Sequence, residues 1–135
     1  MAVIGERWTL LVLREAFLGV RRFEQIQRNT GIARNILADR LGTLVLNGIL
    51  RRERYQERPE RHEYRLTEKG LDLYPVLLAV MDWGARHADG EAIVLAHKGC
   101  GATMAPRLTC PECGEPVAAR DIRALREEAP LRETA

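Results

Sequence analysis

The chain has 135 residues, of which 46% are hydrophobic and 30% charged. That is enough apolar material for one modest core, and too much for an intrinsically disordered chain. The longest apolar run near the start, Leu10 to Leu13, lies between Arg7 and Arg14. It is too short for a secretory signal or a membrane span, so the expected address is the cytoplasm, away from the membrane.

The net charge of +2 is unevenly spread. Up to position 65 there are 13 arginines against 8 acidic residues, and beyond it 8 basic residues against 11 acidic ones. Only Lys69 and Lys98 are lysines. Arginine's planar fork suits phosphates and guanine edges, although a solvated, arginine-rich surface gives the same composition.

The first helix is expected over about 6–18, with Trp8, Leu11, Val12, Glu15 and Phe17 mixing core and exposed positions, and Gly19 ending it. Arg21 and Arg22 lead into a short helix, RFEQIQRN, in which Phe23 and Ile26 follow helical spacing. Thr30-Gly31-Ile32 reads as a tight turn, because glycine accepts the left-handed backbone of such a corner.

A third helix over about 33–47 places Leu37, Leu41 and Leu44 on one arc, which must face the core. At roughly 100° per residue, Asn35, Asp39 and Gly42 fall on the far side with Arg34 and Ala38 beside them. Leu46 also falls there, against the pattern, and is expected to pack under the following strand. Two strands follow, ILRRERY (49–55) and RHEYRL (61–66), with Pro59 marking the hairpin tip between them. Three helices and a basic hairpin are the plan of a winged helix-turn-helix over 1–66.

The longest helix is expected over about 68–87, within a dimerisation segment 67–90, and Pro75 predicts a kink or a fresh start there. Leu71, Tyr74, Leu77, Leu78 and Met81 make one apolar stripe, and Leu73, Val76, Val80 and Trp83 make a second. The first can cover the chain's own core; the second most economically meets its copy in a symmetric homodimer. The fold class is therefore mainly α with a small β-hairpin (α+β). No internal repeat is evident, and 120–135 read as a frayed or partly helical tail.

Each candidate contact has a plain alternative. The N-terminal residues of a recognition helix point at base edges in the major groove. Arg34 and Asn35 stand there, suited to guanine and adenine respectively, though helix starts are polar in any case. Ala38 and Asp39 share that face, and Arg22 precedes the neighbouring helix. Arg58 and Arg61 flank the Pro59 tip, where a wing can reach a minor groove. Interleaved Glu53, Glu57, Glu60 and Glu63 offer local salt bridges as the competing explanation. Double-stranded DNA is the expected partner; an adaptor that binds another protein is the alternative.

A second signal lies in HKGCGATMAPRLTCPECGEP, within 91–119. His97-x2-Cys100-x9-Cys110-x2-Cys113 has the spacing of two metal knuckles, and Cys3His with no open position predicts one structural zinc in a miniature ribbon. Three cysteines in a cytoplasmic chain argue against a disulfide framework. A Cys110–Cys113 redox pair, with thiol oxidoreductase activity as its consequence, and unligated thiols are the other readings. Carboxylates paired for acid–base work and phosphate-cradling glycine loops are not evident, so an enzyme is not expected. The sequence names no small-molecule effector.

The segments IGERWTLLVLREAFLGVRRFEQI, GIARNILADRLGTLVLNGIL and ERPERHEYRLTEKGLDLYPVL resemble the HxlR-type winged-helix transcriptional regulators of bacteria, over residues 4–87. Trp8-Thr9-Leu10, Arg22-Phe23 and EYRLTEKG carry the resemblance most specifically. It implies a homodimer on operator DNA, paired mainly through terminal helices. It also implies DNA roles for Arg34, Asn35 and Ala38 and for Arg58 and Arg61 of the wing. The family often has a cysteine-bearing helix before this point; MAVIGERW holds no cysteine, so sensing of oxidants by that route is not expected. Ala33 stands where the family often has a serine N-cap.

Overall fold

In the computed structural model, which describes residues 3–125, five α-helices and a two-stranded hairpin follow one another in the expected order. Helix α1 spans Thr9–Phe17, starting later than its apolar spacing suggests. The reason is local. The Glu6 carboxylate accepts the Trp8 N–H at 3.0 Å and pairs with Arg40 at 3.2 Å, so this stretch is a tie to the third helix rather than a first turn. Glu15 is only 4% exposed. Its carboxylate accepts from Asn29 Nδ2 at 2.8 Å and from Arg14 at 3.0 Å, which offsets the cost of burying it.

Helix α2 covers Phe23–Thr30 and α3 covers Arg34–Leu46. Between them Gly31 adopts φ +70°, and its N–H donates to the Gln27 carbonyl at 2.8 Å. The chain therefore turns sharply and drives Ile32 into the interior. Val12, Leu13, Ile26, Ile32, Leu37, Leu41 and Leu44 form the core with Ile49 and Leu50. Truncating one of these buried leucines to alanine costs about 2–5 kcal/mol. Leu46 does not pack under the strand: it is 86% exposed. It lies beyond the narrow arc of Leu37, Leu41 and Leu44, and none of the described residues folds back over it.

Strands β1 (Leu50–Gln56) and β2 (Arg61–Leu66) pair antiparallel, with Leu50 opposite Leu66 and Arg52 opposite Tyr64. Leu50, Tyr64 and Leu66 anchor the hairpin base to the core, while a bulge between Arg54 and Gln56 reorients the outer end.

The expected long helix is two. One-turn α4 (Glu68–Leu71) is capped by the Thr67 hydroxyl, which accepts from the Gly70 N–H, and α5 (Tyr74–His87) begins afresh with Pro75 in its first turn. Leu77 and Leu78 are buried, and Leu73 packs against the core. Among the described residues, no helix is long and apolar enough to cross a membrane.

Beyond α5 the backbone forms two small hairpin turns, bridged at Ala96–Thr103 and Thr109–Pro116, then a single 3-10 turn at Ala119–Asp121. The two turns repeat one another at an interval of thirteen residues, in step with His97-x2-Cys100-Gly101 and Cys110-x2-Cys113-Gly114. Of the expected tail 120–135, residues 126–135 lie outside the described residues.

Candidate nucleic-acid interface

Helix α3 presents Arg34, Asn35, Ala38, Asp39, Gly42 and Leu46 to solvent on one face. The buried leucine arc behind them fixes its rotation. Small residues at 38 and 42 keep the middle of that face low. A Cβ added at Gly42 would meet nothing within 4 Å.

Arg34 is already engaged. Its Nη1 lies 3.1 and 3.2 Å from the two oxygens of Glu24, and its guanidinium sits over the Phe23 ring, 4.9 Å from the centroid. Among the described residues, Asp39 pairs with its neighbour Arg40, at 3.4 Å. Asn35 and Ala38 are exposed.

Phe23 and Glu24 also form one wall of an open cleft whose other wall is the wing, with Arg22, Arg28, Pro59 and Arg61 around its rim. The first turn of α2 is thus common ground between the start of α3 and the wing tip. Arg22 stacks on Tyr55, 4.5 Å from the ring centroid, which ties the loop before α2 to the hairpin. The Tyr64 N–H donates to the Arg21 carbonyl at 2.7 Å and reinforces the same junction.

The wing divides its charges. Arg65 binds Glu53 at 3.2 Å and Glu63 at 3.0 Å, Arg54 faces Glu60 at 3.6 Å, and Arg51 binds Glu53. The hydrogen bond from Arg51 holds the Glu53 carboxyl below its ordinary range, so this carboxylate stays charged and neutralises its neighbours. Toward the tip the pattern changes. Among the described residues, no carboxylate lies within ion-pair distance of Arg22, Arg28, Arg58 or Arg61.

Arg22 and Arg61 therefore line one cleft, Arg34 adjoins its wall, and Arg58 stands at the exposed tip beside it. Arg28 and Tyr55 belong to the same cleft and were not singled out from the sequence. Arg28 is legible in retrospect, since two steps along a helix from buried Ile26 must face outward. Tyr55 is not, because the bulge that turns it toward Arg22 has no side-chain signature here.

On α5, Val76 and Val80 are each 47% exposed and Trp83 is 59% exposed, a continuous apolar stripe facing away from the core. Leu73, assigned to the same stripe by spacing, is instead turned inward. It precedes the fresh start of α5, so the helical phase does not carry through to it.

His97 Nδ1 lies 3.3 Å from Cys100 Sγ. Backbone hydrogen bonds from Cys113 and Glu112 hold the Cys110 thiol below its ordinary range. The two pairs do not converge: among the described residues no three histidine, cysteine or carboxylate groups gather as a metal site.

The family model of HxlR-like helix-turn-helix proteins matches residues 3–92. The chain is 50% identical over 125 residues to the helix-turn-helix-type transcriptional regulator Rv3095 of Mycobacterium tuberculosis, covering 90% of this chain and 79% of that one. The solved structure of PA1607, described as a transcription factor, is 36% identical with a TM-score of 0.82, over 93% of this chain and 90% of that chain. PA1374 of Pseudomonas aeruginosa, described likewise, is 34% identical with a TM-score of 0.68, over 96% and 90% of the respective chains. Alignments of this length must extend past residue 92, into the segment with the two knuckles. With its winged hairpin, its glycine-cornered helix pair and these relatives, the chain belongs to the HxlR-like helix-turn-helix family of regulators.

Proposed function

We propose that this regulator binds double-stranded DNA sequence-specifically as a cytoplasmic homodimer and represses transcription by occluding a promoter. Asn35 and Arg34 read base edges in the major groove, with Ala38 and Asp39 beside them. Arg22, Arg28, Arg58 and Arg61 hold the flanking phosphates and the adjacent minor groove. Val76, Val80 and Trp83 pair with their copies across a two-fold axis, so the operator is an inverted repeat with half-sites about 10 bp apart or a multiple of that. Nothing in this scheme is a chemical step, in keeping with a regulator and not an enzyme.

One observation carries the reading. The wing's glutamates pair with Arg51, Arg54 and Arg65 but leave Arg22, Arg28, Arg58 and Arg61, at the tip and the α2 cleft, without a carboxylate partner among the described residues, beside an exposed helix start. Such a surface suits the phosphate contacts that dominate protein–DNA affinity. Selection of bound duplexes from a random pool tests it. Enrichment of an inverted repeat is the expected result. Failure to retain any duplex even at low salt would instead point to an adaptor that binds protein.

A further inference from the structure

Residues 91–125 contain no buried side chain. Even so, the segment repeats one backbone turn twice with matched geometry. The His97 N–H donates to the Ala102 carbonyl at 2.8 Å, and thirteen residues later the Cys110 N–H donates to the Glu115 carbonyl at 2.8 Å. The Gly101 N–H donates to the His97 carbonyl and the Gly114 N–H to the Cys110 carbonyl, both at 2.7 Å. Gly101 and Gly114 share a left-handed backbone, φ +77° and +75°. Met104 to Leu95 and Val117 to Leu108 close the two turns at 2.8 and 2.9 Å.

In each turn the first and fourth positions of the loop are metal-donor residues, His97 and Cys100 in one and Cys110 and Cys113 in the other. A chain this short and this exposed has no apolar core with which to hold two such turns. A metal ion supplies what burial does not.

We infer that one zinc ion joins the two turns, bound by His97 Nδ1 and the thiolates of Cys100, Cys110 and Cys113 of a single chain. The first pair fits already. Tetrahedral zinc, with a nitrogen at about 2.0 Å and a sulfur at about 2.3 Å, sets those two ligands about 3.5 Å apart. The observed separation of His97 Nδ1 and Cys100 Sγ is 3.3 Å. The imidazole is folded back over Gly99, where a Cβ would stand 2.8 Å from its Cε1, so a side chain there would displace the ring. The second pair shares one closed turn, in which the Gly114 N–H donates to the Cys110 carbonyl at 2.7 Å. Metal binding closes one half-site on the other. Only residues 104–108 separate the two bridged turns, and a five-residue link spans at most about 18 Å. Three thiols release their protons to solvent and the imidazole binds neutral, giving a site of net charge −1 with no position open to water. The ion is structural, and no electron is transferred. It lies outside the helix-turn-helix, so its occupancy is independent of the DNA-binding proposal.

The full chain, purified without chelators under reducing conditions, is analysed for metal by mass spectrometry and for ligands by zinc X-ray absorption. One zinc per chain, with about three sulfurs near 2.3 Å and one nitrogen near 2.0 Å, is the expected result. Cys110→Ser and His97→Ala should each lower zinc content at least tenfold, while far-UV circular dichroism reports whether α1–α5 remain folded. Replacing Gly99 by valine should weaken retention against a competing chelator although it removes no ligand. A metal-free chain with three free thiols, a Cys110–Cys113 disulfide in the reduced preparation, or half a zinc per chain shared between protomers would each overturn the assignment.

Discussion

Arg34, the first residue of α3, is held by Glu24 of α2 through both carboxylate oxygens, at 3.1 and 3.2 Å. The carboxylate keeps the guanidinium folded against Phe23 instead of extended toward a groove. Binding a base or phosphate therefore exchanges one partner for another. An exposed pair of this kind contributes about 0–1 kcal/mol, so the exchange is cheap.

Glu24→Gln removes the competing partner and one negative charge from the proposed DNA-binding face. Duplex affinity, read by fluorescence anisotropy, should rise by up to about fivefold, within the energy of one exposed pair. A fall in affinity would show instead that Glu24 aims Arg34 at its target.

Two glycines should respond in opposite ways. A Cβ at Gly70 would stand 2.2 Å from the Ile49 carbonyl oxygen and 3.0 Å from Leu66 Cδ2, so Gly70→Ala must displace α4 from the hairpin base. A loss of about 1–3 kcal/mol is expected from urea denaturation. Gly42→Ala meets no atom within 4 Å and should stabilise α3 by about 1 kcal/mol. The same methyl raises the floor of the proposed base-reading face, so the more stable protein should bind its operator less tightly. Unchanged binding would remove Gly42 from the contact surface.

Much of this architecture is legible in the residues themselves. Gly31 marks the corner, Leu37, Leu41 and Leu44 set the rotation of α3, and Pro75 marks where α5 begins. What local pattern does not reveal is decided by packing at a distance. Leu73 fits a helical stripe by spacing, but it precedes the α5 start and turns toward the core. Leu46 has an apolar side chain that none of the described residues covers. The two knuckles are legible from their spacing, but the matched hydrogen bonds that close them are not, because His97 stands where its counterpart is Cys110. The division of the wing into paired and unpaired arginines likewise depends on strand register, which places Glu53 within reach of both Arg51 and Arg65.

Glu15 joins α1 to α2 through Asn29 at 2.8 Å in a nearly solvent-free position. Glu15→Ala leaves the Asn29 amide without its acceptor and opens a void, at a cost of about 1–3 kcal/mol. Thermal unfolding of the variant checks this; a midpoint within error of the parent would mean that water replaces the carboxylate.

Val80→Glu places a charge in the middle of the exposed α5 stripe without touching the core. Light scattering should then report monomers, and affinity for a two-half-site operator should fall by at least an order of magnitude while single half-site binding persists. Dimers that survive the substitution would put the subunit contact elsewhere.

The division of labour between α3 and the wing is tested most directly by the salt dependence of binding to a selected operator and to random duplex. Parent, Arg34→Ala and Arg61→Ala proteins are compared in one titration series. Arg34→Ala should lose about 1–3 kcal/mol on the operator and little on random duplex. Arg61→Ala should weaken both alike and flatten the logarithmic salt slope by about one. Equal losses on both duplexes for Arg34→Ala, with an unaltered slope for Arg61→Ala, would contradict the account.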